Sequence, residues 1–302
     1  MSDDHRHGAG SSHHHHAAAR SSLIPALLLT LAFALIEALA GWWSGSLALL
    51  GDAGHMLTDS VALGFAAFAA WLAPRQPSAR HTYGYGRVET LAALLNVVFM
   101  LLVVAALSLA ALRRIIEPAA INGEAVTLIA GIGLCINIAV AWRLMRGEPT
   151  INTRGALLHV VGDLLGSVAA LVAGAVIMWT GWTPIDPLLT LFICALILVS
   201  SLRLLREVLH ALMEGVPMHL STAAIGRALA AVPGVVSVHD LHIWTLSSRR
   251  VALSAHVLVD SLEQWPQVLA AARQVLAGHG IQHITLQPEP ATKAVRWMQK
   301  NR

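Results

Sequence analysis

Two stretches of the chain repeat one spacing of an imidazole and a carboxylate. His55-Met56-Leu57-Thr58-Asp59 and His159-Val160-Val161-Gly162-Asp163 both read His-x-x-x-Asp. On a helix, positions i and i+4 share a face. Each segment therefore presents a nitrogen and an oxygen ligand side by side. Two such helices facing each other supply two nitrogens and two oxygens. Zn2+ favours that donor set in tetrahedral coordination, and two aspartates cancel the charge of a dication. The alternative is that each pair is hydrogen-bonding glue between helices. Two matched pairs in apolar surroundings argue against glue, since an Asp at the centre of a membrane helix costs about 2.5–3.5 kcal/mol even on the lenient insertion scale.

The elements that must position these residues are membrane helices. The 302-residue chain is 56% hydrophobic and only 12% charged, with a mean hydropathy of +0.65. A soluble domain carries about 25% charged residues, so most of this chain cannot face water. Six segments reach the roughly 20 apolar residues a span requires: 23–43, 47–72, 89–112, 125–145, 155–180 and 186–204. They define an all-α, six-helix transmembrane domain over 23–206, with the lipid bilayer as its first partner.

Lys and Arg placement sets the orientation. Arg20, the group Arg75, Arg80 and Arg87, the group Arg143, Arg146 and Arg154, and the pair Arg203 and Arg206 all fall on one side of an even number of spans. The first connection (Ser44-Gly45-Ser46) and the fifth (Gly181-Trp182-Thr183-Pro184) carry neither residue. Arg113 and Arg114 are exceptions, offset by Glu117 and Glu124. Both termini are then cytoplasmic and the protein is multi-pass in the cell inner membrane. Residues 1–22 are polar and show no signal-peptide pattern. Their His13 to His16 run is either a tag or native, and this tail is expected to lie on the cytoplasmic side.

Depth links the two motifs. The second span enters from outside, so at 1.5 Å per residue His55 and Asp59 lie about 12 and 18 Å in. The fifth enters from the cytoplasm, so His159 and Asp163 lie about 6 and 12 Å in. Across a core of about 30 Å the two pairs overlap in depth.

Beyond residue 207 the texture changes. His219 to Val232 reads as an amphipathic helix closed by Pro233-Gly234, Val235 to Leu246 and Arg250 to Asp260 as strands, Glu263 to Gly278 as a helix with Pro266 in its first turn, and Ile281 to Gln287 as a third strand. The order αββαβ predicts an α+β, ferredoxin-like cytoplasmic domain over 207–290, followed by a tail at 291–302.

Other polar residues are less specific. Asp52 precedes His55 by one turn, as a partner of a ligand, a proton relay or a charge on the access path. Glu37 could line the same cavity. Asn96 and Asn137 read as packing polar groups, and Trp42, Trp43, Trp179 and Trp182 as an interfacial belt. Cys135 and Cys194 lie in apolar runs and form no CxxC pair. No dense basic cluster interleaved with aromatics is present, so no nucleic acid partner is expected, and no cofactor-binding motif is found.

The segment from Ser46 to Asp59 closely resembles the second helix of the cation diffusion facilitators. So do His81-Thr82-Tyr83-Gly84-Tyr85-Gly86-Arg87-Val88-Glu89, His159 to Ser167, and His239-Asp240-Leu241-His242-Ile243-Trp244. The resemblance covers roughly 20–290 and is nearest the bacterial zinc exporters. It implies a homodimer with six helices per protomer, a cytoplasmic metal-sensing domain, and Zn2+/H+ antiport by alternating access, with protons as counter-ion. It matches His55, Asp59, His159 and Asp163 to the transport site. The His-Asp/His-Asp version implies zinc, with Cd2+ often tolerated.

The same resemblance makes His239, His256 and His283 candidate regulatory ligands, with Glu289 a weaker match. Period-2 alternation puts His256 and His283 on polar strand faces, whereas His239 shares parity with Leu241 and Ile243. A bulge or a strand-start position would free His239. Arg87 and Glu214 match a charge pair tying the membrane helices to the C-terminal domain. Two features depart from the family pattern. Tyr85 stands where a second loop histidine is expected, so no metal is expected in that loop. Residues 146–154 are short and lack His.

Two rival functions make different demands on the chain. An intramembrane metallohydrolase needs an open zinc position and a general base, which four protein ligands leave no room for, and no HExxH occurs. A metal-sensing receptor would bind metal without transmembrane flux. The expectation is a transporter and not an enzyme.

Overall fold

In the computed structural model the described residues are 31–72, 75, 77–145, 151–247 and 250–291. The N-terminal tail, the start of the first span and residues 292–302 lie outside them. Six helices come first: α1 (Leu31–Ser44), α2 (Leu47–Leu72), α3 (Val88–Ile116), α4 (Gly123–Met145), α5 (Ile151–Thr180) and α6 (Ile185–Leu212). They are followed by α7 (Thr222–Ala230), β1 (Val235–Ser247), β2 (Arg250–Val259), α8 (Trp265–Gly278) and β3 (His283–Pro290). The chain divides into two units, 1–63 with 98–201 and 64–97 with 202–302.

Among the described residues, four helices are long and apolar enough to cross a membrane: Val88–Ile116, Gly123–Trp142, Val160–Thr180 and Ile185–Leu212. The expectation was six. The described part of α1 is a shorter apolar helix. α2 carries Asp52, His55, Thr58 and Asp59 within an otherwise apolar run. α6 continues to Leu212, so the change of texture near residue 207 falls inside a helix. The polar residues there extend the helix and do not end it.

In the first unit α4 and α5 approach closely through glycines. A Cβ on Gly174 would lie 2.6 Å from the Thr127 nitrogen, and one on Gly123 would lie 2.8 Å from the Met178 nitrogen. Ala48, Leu49, Val126, Ala130 and Ala170 form a buried cluster beside this contact. At the α1–α2 turn, Gly45 takes φ 73°, a backbone state that glycine adopts without a Cβ penalty. Its carbonyl accepts a hydrogen bond from Arg114.

In the second unit, β1 and β2 pair antiparallel and β2 and β3 parallel, in the order β1-β2-β3. Ile225 and Leu229 of α7, Ile243 of β1, Leu253 and Ala255 of β2, and Ala272 and Leu276 of α8 share one core. α7 begins at Thr222, later than its apolar pattern, because the Ser221 hydroxyl caps it by accepting from Ala224 N–H. β3 runs on to Pro290, past the expected end at Gln287. It is an edge strand, where a proline need not donate to the ladder.

Candidate metal centre

In the first unit, α2 and α5 bring together His55, Asp59 and Asp163. One ligand atom from each lies within 4.8 Å of the others. His55 Nε2 is 3.6 Å from Asp59 Oδ2 and 3.6 Å from Asp163 Oδ1. The first distance is the i, i+4 stacking of α2. The second joins α2 to α5 and has no counterpart in local sequence. Asp163 is buried, and His55 and Asp59 are partly buried. His159 lies one turn before Asp163 on α5, but its side chain lies outside the described residues. One imidazole and two carboxylates at this spacing offer a dication nitrogen and oxygen donors with a compensating charge. His55 and Asp52 also border a mostly apolar cavity of about 480 Å3 that reaches Phe192 and Leu196 of α6.

Buried polar side chains surround this centre. Asp52 and Glu37 are 2% and 0% exposed. Ser167 Oγ donates to Asp52 Oδ2 at 3.0 Å, and Asn137 Nδ2 donates to Ser167 Oγ at 3.1 Å. Asn137 thus holds a specific partner on α5. The role of Ser167 was not legible beforehand, because a lone serine in a span has no periodic signal.

In the second unit, His239, His256 and Glu289 form another cluster with ligand atoms within 4.8 Å. His256 Nδ1 is 2.8 Å from Glu289 Oε1, and His239 Nε2 is 3.3 Å from Glu289 Oε2. His239 pairs with His256 across β1 and β2, and the register shifts between His239 and His242. This irregularity resolves the parity conflict. Asp240 within it takes φ 51°, a conformation that Asp tolerates better than most residues. Asp240 Oδ1 lies 2.9 Å from His242 Nε2.

His283 is not brought to this cluster. It opens β3 opposite Ala252, whereas His256 sits opposite Gln287. Its ring meets Tyr83 edge-on at 5.6 Å. Glu289, at the far end of β3, joins the two histidines. Arg87 and Glu214 do meet, with Arg87 Nη2 donating to Glu214 Oε1 at 2.9 Å. In the loop before α3 the ring of Tyr85 lies 4.8 Å from that of His81.

A domain of long apolar helices with a partly buried His/Asp centre, followed by a small α+β domain, is the architecture of a membrane protein class that binds metal within its helices. Comparison with known proteins specifies the family. Residues 23–213 match the cation efflux transmembrane domain and residues 217–291 match the cation efflux protein, cytoplasmic domain. The chain belongs to the cation efflux family, the cation diffusion facilitators, and is a transporter and not an enzyme.

Three relatives illustrate the similarity. A protein of Pectobacterium atrosepticum named zinc transporter ZitB is 41% identical over 271 residues, 88% of this chain and 84% of that one. A Bacillus velezensis protein named cadmium, cobalt and zinc/H(+)-K(+) antiporter is 35% identical over 297 residues, 96% of this chain and 93% of that one. The metal cation efflux system protein CzcD of Cupriavidus metallidurans is 38% identical over 287 residues, 94% of this chain and 91% of that one.

Proposed function

We propose that this protein exports Zn2+ from the cytoplasm in exchange for protons, with His55, Asp59, His159 and Asp163 as the transported ion's ligands. The observation that carries the reading is the approach of His55 to Asp163 across two helices, 3.6 Å apart. The names of the relatives above, which specify zinc, cadmium and cobalt, support a soft or borderline dication. Cd2+ is a second substrate in this reading.

The chemistry follows from ligand protonation. Metal binding requires a neutral imidazole and an ionised carboxylate, so metal and protons compete for the same atoms. Cytoplasmic Zn2+ displaces protons from an inward-open centre. Reorientation exposes the centre outward, and protons then reload the ligands and release the metal. Imidazole suits this exchange because its charge changes between pH 5 and 8.

The reading takes α1 to α6 as six spans, both termini as cytoplasmic, the inner membrane as the location, and 23–206 and 207–290 as the transport and cytoplasmic domains. The cytoplasmic domains join two copies in a homodimer. His239 and His256, with Glu289, form the regulatory metal centre of that domain, and His283 borders the loop before α3.

The test is flux of a panel of divalent metals in proteoliposomes of the purified protein, under an imposed pH gradient. Zinc uptake should follow the gradient and collapse with an ionophore. Metal binding without any flux would favour a sensor and end the transport reading.

A further inference from the structure

We infer that Asp52 is a positioning residue whose contact with Gly166 and Ser167 sets the register of α2 against α5, and thereby the zinc-over-cadmium selectivity of the membrane centre. The inference rests on the reading of that centre as the metal site.

Asp52 is 2% exposed and Ser167 fully buried, and they hydrogen-bond at 3.0 Å. Asn137 anchors the same Ser167 hydroxyl from α4 at 3.1 Å. Gly166 makes the contact sterically possible. A Cβ there would lie 2.3 Å from Asp52 Oδ1 and 3.0 Å from its Cγ. The carboxyl group therefore rests on bare α5 backbone, in space that any other residue type would fill.

The placement relative to the ligands carries the argument. Asp52 lies one turn before His55 on α2, and Ser167 lies one turn after Asp163 on α5. The helices run antiparallel past each other at this point, so the Asp52–Ser167 bond and the His55–Asp163 approach are adjacent rungs of one ladder. A helical turn is 5.4 Å and one residue is 1.5 Å of rise. A slip of α2 by a single residue would break the Asp52 rung and move His55 by several times the 0.2 Å tolerance of a metal–ligand distance.

Zn2+ and Cd2+ accept the same nitrogen and oxygen donors but differ in size. Discrimination between them is then a matter of geometry and not of ligand type. A register held by the Asp52 rung favours the smaller ion. A register released by loss of the Asp52 rung lets the gap widen to fit the larger one.

Asp52 also neighbours the fully buried Glu37, which suits a rival role as charge or proton carrier. Asp52→Asn separates the two roles. It keeps an oxygen that accepts from Ser167 and nearly the same shape, but it carries neither charge nor an exchangeable carboxyl proton.

The experiment measures initial Zn2+ and Cd2+ fluxes of the full-length protein and four variants in proteoliposomes: Asp52→Asn, Asp52→Ala, Ser167→Ala and Gly166→Ala. Affinity ratios are measured in detergent, in a His239→Ala/His256→Ala background so that the membrane centre dominates. Asp52→Asn should keep the zinc-to-cadmium ratio. Asp52→Ala and Gly166→Ala should shift it toward cadmium by about tenfold, the scale on which losing a group that orients a ligand acts. Ser167→Ala removes only a hydroxyl and should shift it the same way by less. If the larger changes prevent insertion, Ser167→Ala still decides. An unchanged ratio in every variant that inserts overturns the inference. So does an Asp52→Asn protein that behaves like Asp52→Ala, which would assign Asp52 to charge or proton transfer. A wild-type protein that binds but does not transport ends the transport reading alone, and the binding ratios still decide the register.

Discussion

Asp186, at the start of α6, closes the start of α2 by accepting a hydrogen bond from Ser46 Oγ at 2.5 Å. The same carboxylate accepts from Leu47 N–H at 2.8 Å and Ala48 N–H at 3.3 Å, while Ser46 Oγ accepts from Leu49 N–H at 3.2 Å. The first N–H groups of a helix have no partner within it. Here two buried side chains from distant parts of the chain satisfy them. Removing the acceptor leaves buried donors unmet, at about 1–3 kcal/mol. Asp186→Ala should therefore lower thermal stability in detergent and also lower zinc flux, because the same helix carries His55 and Asp59. Asp186→Asn keeps an acceptor and should lose less. Equal melting of Asp186→Ala and wild type would show that the clamp contributes nothing.

Asp163 is the residue through which α5 meets His55. Asp163→Ala, folded and inserted, should reduce zinc flux in proteoliposomes to the level of protein-free vesicles. Retained proton-driven flux would remove Asp163 from the transport site.

Metal binding at the membrane centre should release protons, since neutral imidazole and ionised carboxylate are the binding forms. Titration calorimetry of zinc in buffers of different ionisation enthalpy should give different apparent enthalpies. It should also show weaker apparent affinity as pH falls. An enthalpy independent of buffer would contradict metal–proton competition.

Gly174 faces the Thr127 backbone at a distance no Cβ can occupy. Gly174→Val should force α4 and α5 apart and destabilise the protein by about 1–3 kcal/mol, the usual range for overpacking. A thermal melt in detergent would register it. An unshifted melt would mean that the helix pair gives way freely.

Arg87 and Glu214 form an exposed ion pair, and Glu214 adopts φ 60° in the turn that follows α6. Exposed pairs contribute about 0–1 kcal/mol. Glu214→Gly should remove the pair but relieve the backbone, leaving a small net change in stability. A double-mutant cycle of Arg87→Ala and Glu214→Ala should give a coupling below about 1 kcal/mol. A much larger coupling would mean that the pair holds more than its own charges.

Features set within a few residues were legible before folding. The i, i+4 spacing places His55 with Asp59 on one turn of α2 whatever surrounds it. The long apolar runs predict helices, and the αββαβ order of the C-terminal domain follows from local periodicity and the Pro233-Gly234 break. The end of α6 was less legible, because the polar residues after Ser201 are good helix formers and give no stop signal. The limit of β3 was hidden for the opposite reason. Pro288 reads as a strand breaker, yet an edge strand tolerates it.

The larger part of each centre depends on pairing between distant residues. The Asp52–Ser167 bond spans 115 positions, and no local pattern encodes it. His239, His256 and Glu289 meet because a register shift in β1 turns His239 and because β3 pairs parallel with β2 through Pro290. Those same pairings leave His283 against Tyr83. Residue types and spacing thus determined which atoms could bind a metal and on which elements they ride. Packing decided which of them converge, because a metal–ligand set is defined to tenths of an ångström and only the contact between elements carries that information.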